Sequence, residues 1–395
     1  MARRQTTPAE RSRALNPFRY RGPLKASQDI IDRAAEREQM LDLAQGGHSL
    51  RMIGPRRYGK TTLLTQLLRD AEKADMATAL VDLEDVLSIG DLVVRIERAY
   101  ANSLKGRMRS AVEALLNTWN VGLSLGGGGF TVRLRSNPPA TNDAVLLRLL
   151  ELPRELHQRT GRQTLVVFDE VQDILAVPGA DGKIRSVIQH HEDIASYAFA
   201  GSAPGMMDQL FSDPRRPLLE QAVGLELAPL PLDQAAAYID RRFRATKRRA
   251  GPALQPLVEF TRGHPQRTML LAHFLWKLTP EASTADERTF LAAQNQALGE
   301  ARGHLRAIFK ALKPNEKRVM LALANLPGSP REAANAAAVG LKAGSVAATL
   351  EGLRAGADLI DAPTGGRAVI TDPLFELWLR RRGLTGLTGA TELED

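Results

Sequence analysis

Lys60 and Thr61 close the run Gly54-Pro55-Arg56-Arg57-Tyr58-Gly59-Lys60-Thr61-Thr62. This run satisfies the spacing G-x-x-x-x-G-K-[ST], whose chemistry is phosphate binding. Glycines allow backbone conformations that a Cβ forbids, so successive N–H groups can turn toward phosphate oxygens. A helix starting near Lys60 adds the positive end of its dipole to the same place. The Lys60 ammonium then reaches the β- and γ-phosphates, and the Thr61 hydroxyl becomes a ligand for Mg²⁺. Arg57, Tyr58 and Thr62 belong to the same loop and join Gly54 and Gly59 as candidate nucleotide contacts. A plain glycine turn into an amphipathic helix is the duller alternative.

Asp169 and Glu170 end the apolar run TLVVF. Apolar runs of this kind suit a parallel strand covered on both faces, and such a strand ends at the sheet edge that holds a phosphate loop. Asp169 would hold Mg²⁺ through water, and Glu170 would orient and deprotonate the attacking water. Ser202 ends the next apolar strand, where its hydroxyl can meet the γ-phosphate or that water. The plainer role for Ser202 is to open the turn Gly201-Ser202-Ala203-Pro204-Gly205. No GxGxxG fingerprint occurs, and the seven histidines show no metal-ligand spacing. His190-His191 reads as a surface pair on a helix.

These residues need a strand–loop–helix frame, and the pattern supplies it. SLRMIG precedes the glycine run and TTLLTQLLRDAEKA follows it. Further strands are predicted at 77–83, 164–170 and 196–202, with helices from 27 to the Gly46-Gly47 cap, over 91–117 and over 143–158. Alternation around four glycines, 121–136, predicts a hairpin. Strands alternating with helices give an α/β fold with a parallel sheet. After residue 231 the pattern is helical, with breaks at Gly251-Pro252 and Gly263-His264-Pro265. From residue 312 three helices precede DLIDAPTGGRAVITD, two short strands around a turn, which together describe a winged helix-turn-helix. The expected division is a basic arm over 1–27, a core over 28–225 with a hairpin insertion at 118–140, a helical lid over 226–300, a winged domain over 301–385 and a tail over 386–395.

Composition bounds the chemistry. The chain of 395 residues has no cysteine, which excludes disulfides, thiol catalysis and Cys-ligated zinc or iron–sulfur centres. No apolar window is long enough to span a membrane, and the basic N-terminus lacks the apolar stretch of a signal peptide. The expectation is a cytoplasmic protein. Net charge is +8, carried largely by arginine, which suits phosphate contact.

The chain resembles the archaeal-type ATPases of the STAND and AAA+ P-loop group. Asn16-Pro17-Phe18 with Gly22-Pro23-Leu24 resembles the opening of that family. Asp32-Arg33 with Glu36 and Glu38 resembles its D-R-x-x-E segment, Asp169-Glu170-Val171-Gln172 its D-E-x-Q strand end, Gly263-His264-Pro265 its lid element, and Asp372-Pro373-Leu374-Phe375 with Trp378 its closing motif. The resemblance implies an ATPase core, a lid and a winged helix. It places Asp32 and Arg33 beside the nucleotide base and brings His264 and Pro265 to the nucleotide. Where many relatives carry P-L-Y-G-R, this chain has Pro217-Leu218-Leu219-Glu220-Gln221, so that arginine is missing. Arg215 and Arg216 are candidates to act in trans, and Arg267 is a candidate sensor.

The expected function is a Mg²⁺-dependent ATP-binding and ATP-hydrolysing switch whose ATP or ADP state repositions the winged domain, acting on double-stranded DNA. The rival is a regulatory ATPase of signalling or defence type that binds a protein and not DNA. Nucleotide-dependent self-association fits either. The third helix of the winged domain, near 343–355, offers only Lys342 and Arg354 as cations, which is thin for a major-groove reader.

Overall fold

A computed structural model of the chain describes residues 15–22, 31, 33–103, 121–126, 129–134, 141–356, 359–361 and 368–384. They fall into two compact units. One comprises 33–228 with 351–361, and the other comprises 1–32, 229–350 and 362–395.

The first unit opens with α1 (Ala34–Gln45), β1 (Leu50–Ile53), α2 (Lys60–Lys73), β2 (Ala77–Asp82) and α3 (Ile89–Ser103). A hairpin of β3 (Val121–Gly126) and β4 (Gly129–Leu134) follows, then α4 (Asn142–Leu150), α5 (Leu152–Thr160) and β5 (Thr164–Asp169). The unit continues with α6 (Ala180–Ile188), β6 (Ala195–Gly201), α7 (Pro204–Phe211) and β7 (Val223–Glu226). Five strands form a parallel sheet in the order β2-β5-β6-β1-β7. The register aligns Ile53 with Gly201, and Asp82 with Asp169, so the strands end along one edge.

Strands β5 and β6 are buried at every position, as the continuous apolar runs require. Alternation sorts their side chains by size. Val166, Phe168, Tyr197 and Phe199 face one layer with α3–α6, and Phe168 and Phe199 stack at 5.7 Å between ring centres. Leu165, Val167, Ala198 and Ala200 face the other layer, against α1 and α2. The alanines let that layer, which contains the helix bearing Lys60, approach closely. One polar group breaks the first layer: Glu97 of α3 is 6% exposed and its Oε1 has no hydrogen-bond partner among the described residues.

The second unit contains α8 (Leu232–Ala245), α9 (Leu254–Thr261), α10 (Pro265–Leu278), α11 (Glu287–Ala311), α12 (Pro314–Asn325) and α13 (Ala333–Ala338). Next come α14 (Ala343–Gly356), whose part from 351 belongs to the first unit, the short strand β8 (Ile360–Asp361), also of the first unit, and the short strand β9 (Val369–Ile370) of the second. The last helix is α15 (Pro373–Arg382). Helix α11 runs unbroken through residue 300. Phe18, expected in a free arm, is buried against Tyr238 and Phe243. Asn16 Nδ2 donates to the His273 carbonyl at 3.0 Å.

Three expectations are corrected. The helix expected over 143–158 is two helices, because Pro153 lies in the first turn of α5 and has no N–H to continue the ladder. The helix expected from residue 27 begins at Ala34 in the described residues, and of 91–117 the portion after 103 lies outside them. His191 is not a surface residue. It is buried after α6, with Nδ1 at 2.6 Å from the Tyr197 hydroxyl and Nε2 at 3.2 Å from Glu151. No helix among the described residues is long and apolar enough to cross a membrane.

Candidate functional site

The loop between β1 and α2 is shaped by two left-handed residues, Arg57 at φ 69° and Gly59 at φ 89°. Such a pair turns successive N–H groups to one side and makes an anion nest. Gly59 also precedes the first turn of α2, where Leu63 N–H bonds to its carbonyl at 2.9 Å. Gly54 answers a second constraint: a Cβ there would lie 2.9 Å from the Leu227 Cβ in the segment leaving β7. Lys60 is buried, and its ammonium donates to the Gly54 carbonyl at 2.7 Å and the Pro55 carbonyl at 3.3 Å. It is thereby held over the nest, where a phosphate oxygen would compete for it. Tyr58 is buried beneath the loop, while Arg57 and Thr61 are exposed.

The carboxylates arrive from β5. Thr61 Oγ1 donates to Asp169 Oδ2 at 3.0 Å. The Thr61 hydroxyl would ligate Mg²⁺ and the Asp169 carboxylate would hold it through water. A site of one hydroxyl and one carboxylate, finished by phosphate and water, also suits Mg²⁺ rather than a cage of protein ligands. No group of three or more acidic, His or Cys side chains could hold a metal among the described residues. Thr61 and Asp169 therefore fit the ion. Burial, and then the neighbouring Glu170 charge, push the Asp169 carboxyl above its ordinary value, opposed by the Thr61 hydrogen bond and Lys60.

Glu170 has left-handed backbone, φ 52°. Its Oε2 accepts from three donors: Ser202 Oγ at 2.7 Å, Ser202 N–H at 3.2 Å and Gln172 Nε2 at 2.8 Å. Ser202 follows β6, which lies between β1 and β5, so it stands between the phosphate loop and the carboxylates. The resemblance names Gln172 in its D-E-x-Q strand end and gives it no role. It is buried, and the same Nε2 reaches Asp173 Oδ1 at 3.2 Å, while Asp173 Oδ2 accepts from Asp85 N–H at 2.8 Å. Carboxylates on both sides of Nε2 fix which way the amide points. The signal in the sequence was the spacing alone, two residues after a carboxylate.

The remaining candidates separate. Arg33 is buried, and its guanidinium donates to Glu36 and to the Ala228 carbonyl, both at 2.6 Å. Asp32 lies outside the described residues. His264 and Pro265 belong to the second unit. There Gly263 meets Leu230 so closely that a Cβ would lie 2.1 Å from its carbonyl oxygen, and His264 caps α10 by accepting from Arg267 N–H. Arg267 is committed elsewhere: it is 2% exposed and binds Asp372 through two nitrogens, Nε–Oδ1 at 2.9 Å. It is a structural cation in this unit and not a spare sensor. Arg216 is held by Asp181 at 3.1 Å, whereas Arg215 is 89% exposed beside Asp213.

A phosphate nest on a strand–loop–helix, a carboxylate pair on a non-adjacent strand and a polar strand end between them define a P-loop nucleoside-triphosphate fold. Solved structures agree. The chain is similar to the Walker-type ATPase PAby2304 of Pyrococcus abyssi, with 19% identity, 91% of this chain and 98% of that chain covered, and a TM-score of 0.66. It is also similar to the ORC2 protein of Aeropyrum pernix in ADPNP–ADP complexes, with 14% identity, coverage of 91% and 94%, and a TM-score of 0.57. The chain shares its fold with these two proteins. No protein-family model and no curated protein sequence matches the chain.

Proposed function

We propose that the chain is a Mg²⁺-dependent ATP-binding and ATP-hydrolysing switch that acts on double-stranded DNA. One observation carries the ATPase reading: Lys60, Thr61, Asp169 and Glu170 converge at one sheet edge from two strands that are not neighbours. The loop N–H groups and Lys60 bind the phosphates. Thr61 and Asp169 hold the ion, which when bound neutralises charge building on the phosphates. Glu170 takes the proton of the attacking water through Oε1, since Oε2 already serves three donors. Ser202, bonded to that base, is placed to relay the presence of a γ-phosphate to it.

Lys60→Ala is expected to abolish ATP binding in a fluorescent-nucleotide titration. Glu170→Gln is expected to keep binding and stop hydrolysis. Hydrolysis at the wild-type rate in Glu170→Gln would reject Glu170 as the base.

The coupling of nucleotide state to the winged region, and a role for His264 and Pro265 at the nucleotide, rest on the family resemblance. A second reading, docking of a protein by the winged region, is favoured by α14, which exposes Gly344, Ser345, Ala348 and Glu351. That surface is small-residue and mixed in charge, and suits protein contact better than base reading.

A further inference from the structure

The thin charge of α14 contrasts with α11. Between residues 295 and 311 the sequence holds one carboxylate, Glu300, and Arg21 occupies it. Arg302, Arg306 and Lys310 recur at four-residue steps and are all exposed. They therefore line one stripe, about 12 Å from first to last at 1.5 Å per residue. No ion pair engages Arg306 or Lys310 among the described residues.

Helix α15 adds to the same face. Arg381 Nη2 donates at 2.6 Å to Asn295 Oδ1, which lies two turns before Arg302. Phe309, one residue before Lys310, meets the Trp378 ring edge-on at 5.5 Å. The Arg382 guanidinium lies 5.2 Å and the Lys317 ammonium 5.7 Å from the Phe309 ring centre. Arg382 and Lys317 thus lie over one half-buried aromatic pair, and Arg302, Arg306 and Lys310 continue the positive charge along α11.

We propose that this α11–α15 face binds the phosphodiester backbone of duplex DNA, without help from base reading by α14. Duplex DNA carries about one charge per 1.7 Å of axis, so a 12 Å row faces about seven phosphates. Guanidinium groups pair with phosphate in a two-pronged fashion. Such contacts position a protein on DNA and carry no sequence information. A lipid surface is the poorer match. Phe309 and Trp378 are half-buried and carry cations over their rings, so neither is offered for insertion. The inference takes duplex DNA from the proposed function. It makes no use of the ATPase site, which lies in the other unit.

The test is fluorescence anisotropy of the full chain on a labelled duplex, titrated between about 50 and 200 mM salt. R306E/K310E is expected to bind at least tenfold more weakly, with a log–log salt slope shallower by about two. R241E/R244E, on the basic end of α8, is expected to stay within twofold of wild type. R306A/K310A serves if the charge reversal does not fold, and should show the same slope change with a smaller loss. The proposal is overturned if R306E/K310E matches wild type in affinity and slope, or if R241E/R244E loses as much. Wild-type binding to phosphatidylserine vesicles with none to the duplex overturns it too. ATP hydrolysis without DNA is measured on each variant. Its absence in wild type would reject the ATPase reading and leave the DNA result standing.

Discussion

Gln172 spends its amide on two carboxylates and so ties Glu170 to Asp173 and, through it, to the loop after β2. Its Oε1 is buried and unpartnered among the described residues, a desolvation cost that makes sense if orientation of Glu170 is what the residue supplies. Gln172→Leu keeps the volume and removes the donor. The expected result is a kcat lower by about tenfold with KM for ATP within twofold, because only the placement of the base is disturbed. Asp169 offers a second test. Its carboxyl is raised by burial, so ionisation there opposes folding of the free protein, increasingly as pH rises through its folded value. Asp169→Asn is expected to melt higher than wild type at neutral pH without Mg²⁺, and to lose the stabilisation that Mg²⁺ with nucleotide gives wild type. Differential scanning fluorimetry with and without the ion reads both. The phosphate loop and Asp169-Glu170 were legible because a glycine turn and an apolar run are local signals. Gln172 and Arg267 owe their partners to chain folded beside them, Arg267 across 105 residues to Asp372, and no local pattern marks that.

The same division appears in the elements. Strands β2, β5 and β6 were readable within a residue or so, since burial leaves an apolar run, whereas the edge strand β7, exposed at three of its four positions, was not read as a strand. The split between α4 and α5 was not readable either, because Leu152-Pro153 sits inside an apolar period that continues on both sides of it. Helix α3 hides a further property. Burial pushes the Glu97 carboxyl up to about 7, so the folded state holds that proton more tightly than the unfolded chain does. Its contribution to stability is complete below the unfolded value, near 4.5, and is lost as pH rises toward 7. Glu97→Gln should therefore match wild type at pH near 4.5 and exceed it above pH 7, by up to about 3 kcal/mol. Urea melts across that range would show either a converging pair of curves or, if Glu97 is innocent, parallel ones.

Over the whole molecule, the second unit is closed by a buried charge pair. Arg267 follows the Gly263-His264-Pro265 turn, and its partner Asp372 caps α15 by accepting from Leu374 and Phe375 N–H. Arg262 strengthens the junction by donating to the Ile370 carbonyl at 2.9 Å and to Glu376 at 2.8 Å. Removing one partner leaves an uncompensated buried charge, so Arg267→Met and Asp372→Asn should each cost about 3–5 kcal/mol. The double variant should cost less than their sum. Additive losses in denaturant melts would mean the two charges act independently. This unit is also assembled from chain that is far apart in synthesis. Asn16 and His273 are separated by 257 residues. At 5–20 residues per second a ribosome needs about 13–50 s to cover that interval. For most of it, until α8 is made, Phe18 has none of the helices it docks on, while all of residues 33–228 are made. Residues 33–228 can thus be complete while the opening segment still waits for α8. A nascent chain stalled before residue 238 should be clipped by protease near Phe18, and a completed one should resist.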